Sequence, residues 1–492
     1  MNGRSHWQLD PDLRAVLPKA WKTWELYRED LAGVGVLAQE AGRFLAGGLE
    51  PLGEPAPGLS AERPRAGPKR RALLEGLSPL IRTPFEGRGW PYLFTAAYLL
   101  GSPTLSYLLS STSGAVFVLG KYAPEFGALK AQLQGGAAWA AAWLGWQARG
   151  QAHDEAWRLN GRYDLAPGIG VAEYVLLTAE HGGEERGLFL LPRHNRRGRL
   201  NYRSEVSPGA ERLSVPYGPA ELDGSEAYLL GHPEEGRHYA AEVSTLQQIA
   251  QALAWAGLGR HLQLEAAELP ELHASPDPDL RYTLTDWAVR LAGALALGFR
   301  AVAAWDRTRQ EYPPYENLHF SQLLALLAKT RAAEHAARVA HGLARTLGPG
   351  LLRLPGLARL VEEVKRPLPW EAPAHAEAVQ ARELLLHQRV GPAFRADFVR
   401  RLQMAHRKEA SLAAEAVSGV LDGLQASGSA EALWAMPQGL RRLADAAAVA
   451  LLYDLEATSG GRYARLGELY ARRFLLGEPY PVWAMTEPRL WS

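Results

Sequence analysis

Few side chains in this 492-residue chain have both the type and the spacing to do chemistry. Glu371 stands between Trp370 and Ala372-Pro373, just ahead of a new apolar-periodic run. A carboxylate there can take a proton from a bound substrate, or simply favour the positive end of the helix it begins. Arg309 closes a helical run at residues 283–309, where a guanidinium can hold a pyrophosphate through two parallel hydrogen bonds or remain a solvated helix-end arginine. Glu334, His335 and His341 fall on one helix, but histidines six apart do not share a face as i,i+4 ligands do, so no metal site is expected. Gly168-Ile169-Gly170 lacks the further glycine and the βαβ context of a dinucleotide fingerprint and is read as a turn. There is no P-loop or nucleophile elbow, and no cysteine, which excludes disulfides, thiolate metal sites and a cysteine nucleophile.

The elements that must position these residues are mostly helical. Residues 13–49 carry apolar side chains at helical spacing and end on Gly47-Gly48; residues 51–68 are rich in proline and glycine and read as a long surface loop. Residues 92–120 are strongly apolar, but Gly101-Ser102-Pro103 divides them into pieces shorter than the roughly 20 residues that span a bilayer. They are expected to be buried core helices. Trp139, Trp143 and Trp146 show i,i+4,i+7 helical spacing and are read as core packing at a domain junction. Helical periodicity returns at residues 243–262, 283–309, 321–347 and 375–387, and again from 400 to 474, with breaks near 426–431 and 459–461. The connection 265–279 is expected to be a loop carrying an extra helical segment or hairpin.

Charge is nearly balanced, with 54 lysines and arginines against 53 acids. The region from Arg395 to Arg489 is balanced too, which argues against a broad phosphate-binding surface; a local strip of Arg400, Arg401, Arg407 and Lys408 on one helix is the exception. No membrane association is expected. The first residues lack the basic segment and apolar core of a secretion signal, so a cytoplasmic location is expected.

Between Trp157 and Gly236 the helical pattern gives way to short apolar segments punctuated by glycine, asparagine and proline: residues 157–164, 171–180, 186–193, 201–206, 211–222 and 226–231. These are read as antiparallel strands. The order Trp157-Arg158-Leu159-Asn160-Gly161, Ala172-Glu173, Phe189-Leu190-Leu191-Pro192 and Leu229-Leu230-Gly231 resembles the central domain of the acyl-CoA dehydrogenase superfamily, and the long helical tail resembles its AidB-like branch. The resemblance implies an α+β multidomain fold: an N-terminal helical domain (1–135), a central antiparallel β domain (136–237), a C-terminal four-helix bundle (238–390) and a helical extension (391–492). It also implies a homodimer or tetramer, an acyl-CoA or related ligand, and FAD.

Carried over residue by residue, Trp370-Glu371 matches the family's tryptophan and catalytic glutamate, and Arg309 and Tyr312 match the arginine and aromatic of the flavin phosphate side. The departures are systematic. Ala372-Pro373 replaces the glycine and hydroxyl residue after the base, Pro313 replaces the glycine after Tyr312, and His319 replaces a glutamine. The threonine-glutamate…glycine-serine-aspartate loop is missing from residues 135–157, the flavin-contacting residues after Gly161 are replaced by residues 162–166, and a glycine-rich turn is reduced to Gly348-Pro349-Gly350. Tyr163 and His319 are the unmatched residues that could compensate. The expectation is a relative that keeps the fold and has lost much of its grip on FAD, non-catalytic or a partner subunit. The alternatives are an FAD-dependent oxidoreductase acting on CH–CH groups of acyl-CoA thioesters with Glu371 as base, and an AidB-like DNA-associated protein.

Overall fold

The computed structural model describes residues 5–46, 48–49, 66–153, 156–183, 185–269, 272, 277–365, 368, 374–387, 390–426, 428–487 and 490. The loop expected at 51–68 lies largely outside these residues, as does part of the 265–279 connection. Helices α1 (His6–Leu9), α2 (Pro11–Ala20), α3 (Arg28–Ala46), α4 (Pro68–Leu77), α5 (Pro79–Arg82), α6 (Trp90–Leu100), α7 (Pro103–Tyr122) and α8 (Gly127–Gln134) come first. Strands β1 (Ala140–His153), β2 (Ala156–Pro167), β3 (Tyr174–His181), β4 (Glu185–Pro192), β5 (Arg203–Ser204) and β6 (Tyr217–Leu230) follow. The chain then returns to helices: α9 (Gly236–Ala267), α10 (Pro278–Thr308), α11 (Leu318–Leu347), α12 (Pro355–Lys365), α13 (Ala374–Arg382), α14 (Val390–Met404), α15 (Lys408–Ala426), α16 (Ser429–Ser459), α17 (Gly461–Ala471) and α18 (Val482–Met485).

The strands close on themselves. β1 pairs with β2 and β3, β3 with β4, β4 with β6, and β6 returns to β2, while the two-residue β5 adds to β6. Closure removes free edges and gives the sheet an inside and an outside. Side chains alternate between them: Val175, Leu177, Phe189 and Leu191 fill the barrel interior, whereas Leu176, Leu188 and Leu190 join the core shared with the helices. This is why β3 and β4 read as continuous apolar runs. The antiparallel expectation needs one correction, because β1 and β3 run parallel.

β1 also overturns the helical spacing of Trp139, Trp143 and Trp146. This alanine-rich stretch is a strand: Trp139 packs in the helical core, and Trp143 points into the barrel with its indole N–H donating to the Pro167 carbonyl at 2.9 Å. Helix α7 fixes the inner end of β1. The Tyr107 hydroxyl donates to the Ala142 carbonyl at 2.7 Å and accepts from its amide at 3.0 Å, and the Thr112 hydroxyl accepts from the Ala140 amide at 3.1 Å.

The apolar stretch 92–120 forms α6 and α7, both almost wholly buried. They pack on α9, which packs in turn on α10 and α11. One apolar core runs from Trp7 in α1 through these helices to Tyr470 in α17. Helix α10 is long and apolar enough to cross a membrane by composition, yet 89% of its most apolar window is buried in the protein. The close crossing of α6 and α9 depends on Gly257, where a Cβ atom would lie 1.9 Å from the Tyr98 carbonyl oxygen. That neighbour is backbone and cannot swing aside. Gly257→Ala is therefore expected to destabilise the protein by about 1–3 kcal/mol, read from chemical denaturation; an unchanged midpoint would show that the crossing relaxes freely.

Candidate functional site

Arg309 and Tyr312 stand on the corner between α10 and α11, and the structure shows what each side chain does. Arg309 donates from Nε to Asp306 Oδ1 at 3.1 Å, one helical turn back. Tyr312 is exposed, with its ring 4.8 Å from the Lys121 ammonium at the end of α7. Lys121 organises the corner from beneath: it donates to Glu242 Oε1 of α9 at 2.7 Å, to the Arg309 carbonyl at 3.1 Å and to the Glu311 carbonyl. The Lys121 side chain is 6% exposed and that of Glu242 is fully buried. Burial pushes the Glu242 carboxyl upward, and Lys121 opposes the shift. The Glu311 carboxylate accepts from the amides of Glu316, Asn317 and Leu318, closing the loop on itself. The segment is thus folded around its own charges.

Glu371 lies outside the described residues, as do Trp370 and Ala372-Pro373. Its described neighbours locate the two ends of the segment. Leu368 is buried in the main core. Beyond it, Glu377 of α13 accepts from Lys329 of α11 at 3.1 Å, and Gln248 of α9 donates to Gln380 of α13 at 3.4 Å. Helix α13, which follows this stretch, therefore packs beside α9 and α11.

Next to these ends runs a polar seam between α7 and α9. Gln247 donates to the Ser111 hydroxyl at 2.8 Å, and Gln251 to the Pro103 carbonyl at 2.8 Å. Ser106 Oγ, Ser113 Oγ, Gln248 Oε1 and Gln251 Oε1 are buried without a hydrogen-bond partner among the described residues. The sequence signal for this seam is the run of serines and threonines at residues 102–113. Hydroxyls repeated on a buried helix need partners: Ser110, Ser111 and Thr112 donate to carbonyls one turn back in α7, and Ser111 also accepts from Gln247 of α9.

Both unmatched candidates have partners within the protein. The Tyr163 side chain is inside the barrel, 5.2 Å from the Trp143 ring, and its hydroxyl donates to the Thr178 carbonyl at 3.2 Å. His319 Nδ1 is 2.8 Å from Gln322 Oε1, one turn along α11. In the span where the resemblance would put a flavin-holding loop, β1 continues, and its register against β3 shifts between Trp143 and Ala148. Arg309 shares a partly exposed ion pair with Asp306, and the side chains of Tyr163 and His319 are engaged by the Thr178 carbonyl and by Gln322.

The other sequence candidates disperse as well. His335 is buried with Nε2 2.8 Å from the Tyr470 hydroxyl, Glu334 faces Arg331 and Arg441, and His341 is exposed, so they form no ligand set. Gly168-Ile169-Gly170 is a turn, with both glycines at positive φ. Arg400, Arg401, Arg407 and Lys408 do not share one helix: α14 ends at Met404 and α15 begins at Lys408. Arg401 pairs with Asp397 at 2.9 Å and Arg407 with Glu456 at 2.7 Å.

Comparison with known proteins places this geometry. No protein-family model matches the chain, and no curated protein matches it. Solved structures do. Caenorhabditis elegans ACDH-11 in complex with C11-CoA superposes with a TM-score of 0.79 at 16% identity, covering 96% of this chain and 91% of that one. The apo form of Bd2924 gives 0.75 at 16% identity over 92% and 98%. An acyl-CoA dehydrogenase complexed with FAD from Bacillus anthracis gives 0.68 at 13% identity over 90% and 86%. The fold is that of the acyl-CoA dehydrogenases.

Proposed function

We propose that this chain is an acyl-CoA dehydrogenase-fold protein that has given up flavin chemistry and acts as a non-catalytic ligand-binding or partner subunit, assembling at least as a homodimer in the cytoplasm. The observation that carries the reading is the corner at residues 309–318. The one arginine that could face a flavin pyrophosphate is paired with Asp306, and the adjoining backbone is tied to Lys121. A dinucleotide needs charge-assisted hydrogen bonds worth about 1.5–3 kcal/mol each, so losing several weakens a tight site by orders of magnitude. The polar seam between α7 and α9 keeps unpartnered buried groups, which supports a polar contact at this place that the protein alone does not supply. The C11-CoA bound by ACDH-11 supports an acyl thioester as the ligand.

The purified protein is expected to be colourless, with flavin well below one per chain in its absorption spectrum. A yellow preparation near one flavin per chain would overturn the proposal and favour the competing reading, an FAD-dependent dehydrogenase of acyl-CoA thioesters. Glu371→Gln would then test the base: loss of acyl-CoA oxidation with flavin retained would assign it. The FAD-bound neighbour supports that alternative. The AidB-like DNA-associated reading has less support, because the expected basic strip is broken and largely ion-paired.

A further inference from the structure

We propose that the groove between α10, α11 and the C-terminal helices binds a small organic polyphosphate, of the size and charge of a nucleoside di- or triphosphate. The groove is open to solvent, with a volume of about 1050 Å³, and is lined by six arginines, Arg290, Arg331, Arg338, Arg345, Arg441 and Arg473, against three carboxylates, Asp279, Asp286 and Glu334. In a chain whose overall charge is only +1, this is a local concentration of positive charge.

The carboxylates do not exhaust it. Asp286 is shared by Arg290 at 2.5 Å and Arg473 at 3.8 Å, Glu334 by Arg331 and by Arg441 at 2.7 Å, and Arg331 is also paired behind the groove with buried Asp445 at 2.7 Å. Asp279 lies in the first turn of α10 and pairs with no arginine among the described residues. Arg338 and Arg345 are exposed, and neither has an ion-pair partner among the described residues. With His341 they occupy positions i, i+3 and i+7 of α11, one face directed into the groove. The floor is rigid: the Arg290 and Arg331 guanidiniums lie 4.7 and 5.5 Å from the Phe474 ring centroid. The field there is positive enough that His335, already disfavoured as a cation by burial, is held further below its ordinary range by Arg331 and Arg290.

Guanidinium forks match phosphate oxygens, and a groove of this volume, with arginines on α10, α11, α16 and the segment after α17, has room for several phosphates and an attached organic group. It is walled by Arg441 of α16 and by the π-helical turn Arg472–Leu476, which holds Arg473 and Phe474. Duplex DNA would instead need phosphate contacts repeated along an open surface, which the balanced charge of the C-terminal region does not offer.

Tripolyphosphate and a nucleoside triphosphate serve as probes in titration calorimetry on the full chain. Both are expected to bind, more weakly as salt rises. Arg338→Gln/Arg345→Gln, which breaks no ion pair among the described residues, is expected to weaken binding about 100-fold, corresponding to two charge-assisted contacts. Arg400→Gln, outside the groove, should leave it unchanged. The proposal is overturned if neither probe binds at millimolar concentration, if the double variant binds as well as the parent, or if duplex DNA binds more tightly than tripolyphosphate.

Discussion

Arg260→Leu is expected to cost about 3–5 kcal/mol of stability, because it strands two buried carboxylates. Asp10 and Asp12, at the start of α2, and Arg260, on α9, are each at most 3% exposed. Arg260 donates from Nε to Asp10 Oδ1 at 3.3 Å and from Nη1 to Gln263 Oε1 at 2.7 Å, and lies 3.5 Å from Asp12 Oδ2. Asp10 also accepts from the amides of Asp12 and Leu13, capping α2, and from the Tyr98 hydroxyl of α6. Asp12 reaches the far end of the chain, taking Arg462 and the Tyr463 hydroxyl, the latter at 2.8 Å. Burial raises the Asp12 carboxyl, but Arg462 and Arg260 overcome it and hold it well below the usual carboxylate range. The network ties the first helices to α9 and α17. Its loss should appear as a lower midpoint of the first denaturation transition, and Asp10→Asn added to Arg260→Leu should recover part of it, since asparagine still caps a helix. A shift below about 1 kcal/mol would mean that Arg462 alone satisfies both carboxylates.

This network shows why much of the fold was legible in the sequence and the site was not. The strands β3 and β4 announce themselves because apolar residues face both the barrel interior and the helices. Segments 211–222 and 226–231 looked like separate strands, split by Asp223-Gly224-Ser225. In fact β6 runs from Tyr217 to Leu230, and the turn-like residues make a bulge, with Leu159 paired to Ser225 but Gly161 to Leu222 and Gly224 at φ 60°. β1 was missed because alanine and spaced tryptophans satisfy a helical pattern, and only pairing to β2, β3 and α7 makes the stretch a strand. At the site, the ordered contacts join residues far apart in the chain. Lys121 meets Glu242 and Arg309, and Arg290 approaches His335, pairings that no local spacing encodes.

Those same long-range contacts bury three neutral histidines, and stability is expected to fall steeply as pH drops below 6.5. His6 and His261 stack with ring centroids 3.4 Å apart, and His335 lies between Arg290 and Arg331. Burial, reinforced by Arg260, lowers His6 to about 3. Burial, reinforced by His6, holds His261 well below its ordinary range. In the unfolded chain each histidine takes up a proton near 6.5, while the folded chain refuses it, so the stability present above 6.5 is lost as pH falls toward the folded values. Each contributes about 1.4 kcal/mol per pH unit in that window. Asp445 works in the opposite direction: burial outweighs the attraction of Arg331 and pushes it up to about 6, so below that pH its protonation favours the folded state and offsets about one histidine. Glu173, Glu242 and Glu265, all raised by burial, reduce the slope further at lower pH. The net loss between pH 6 and 5 is then about 3 kcal/mol at most, a large part of the 5–15 kcal/mol typical of a folded domain. Denaturation midpoints at pH 7, 6 and 5 should show the decline. His6→Phe, which keeps a ring against His261 but cannot take a proton, should flatten it by about 1.4 kcal/mol per pH unit. Equal slopes for the variant and the parent would mean that His6 is protonated in the folded protein, and the stacked pair would then not be the neutral pair that its burial beside Arg260 requires.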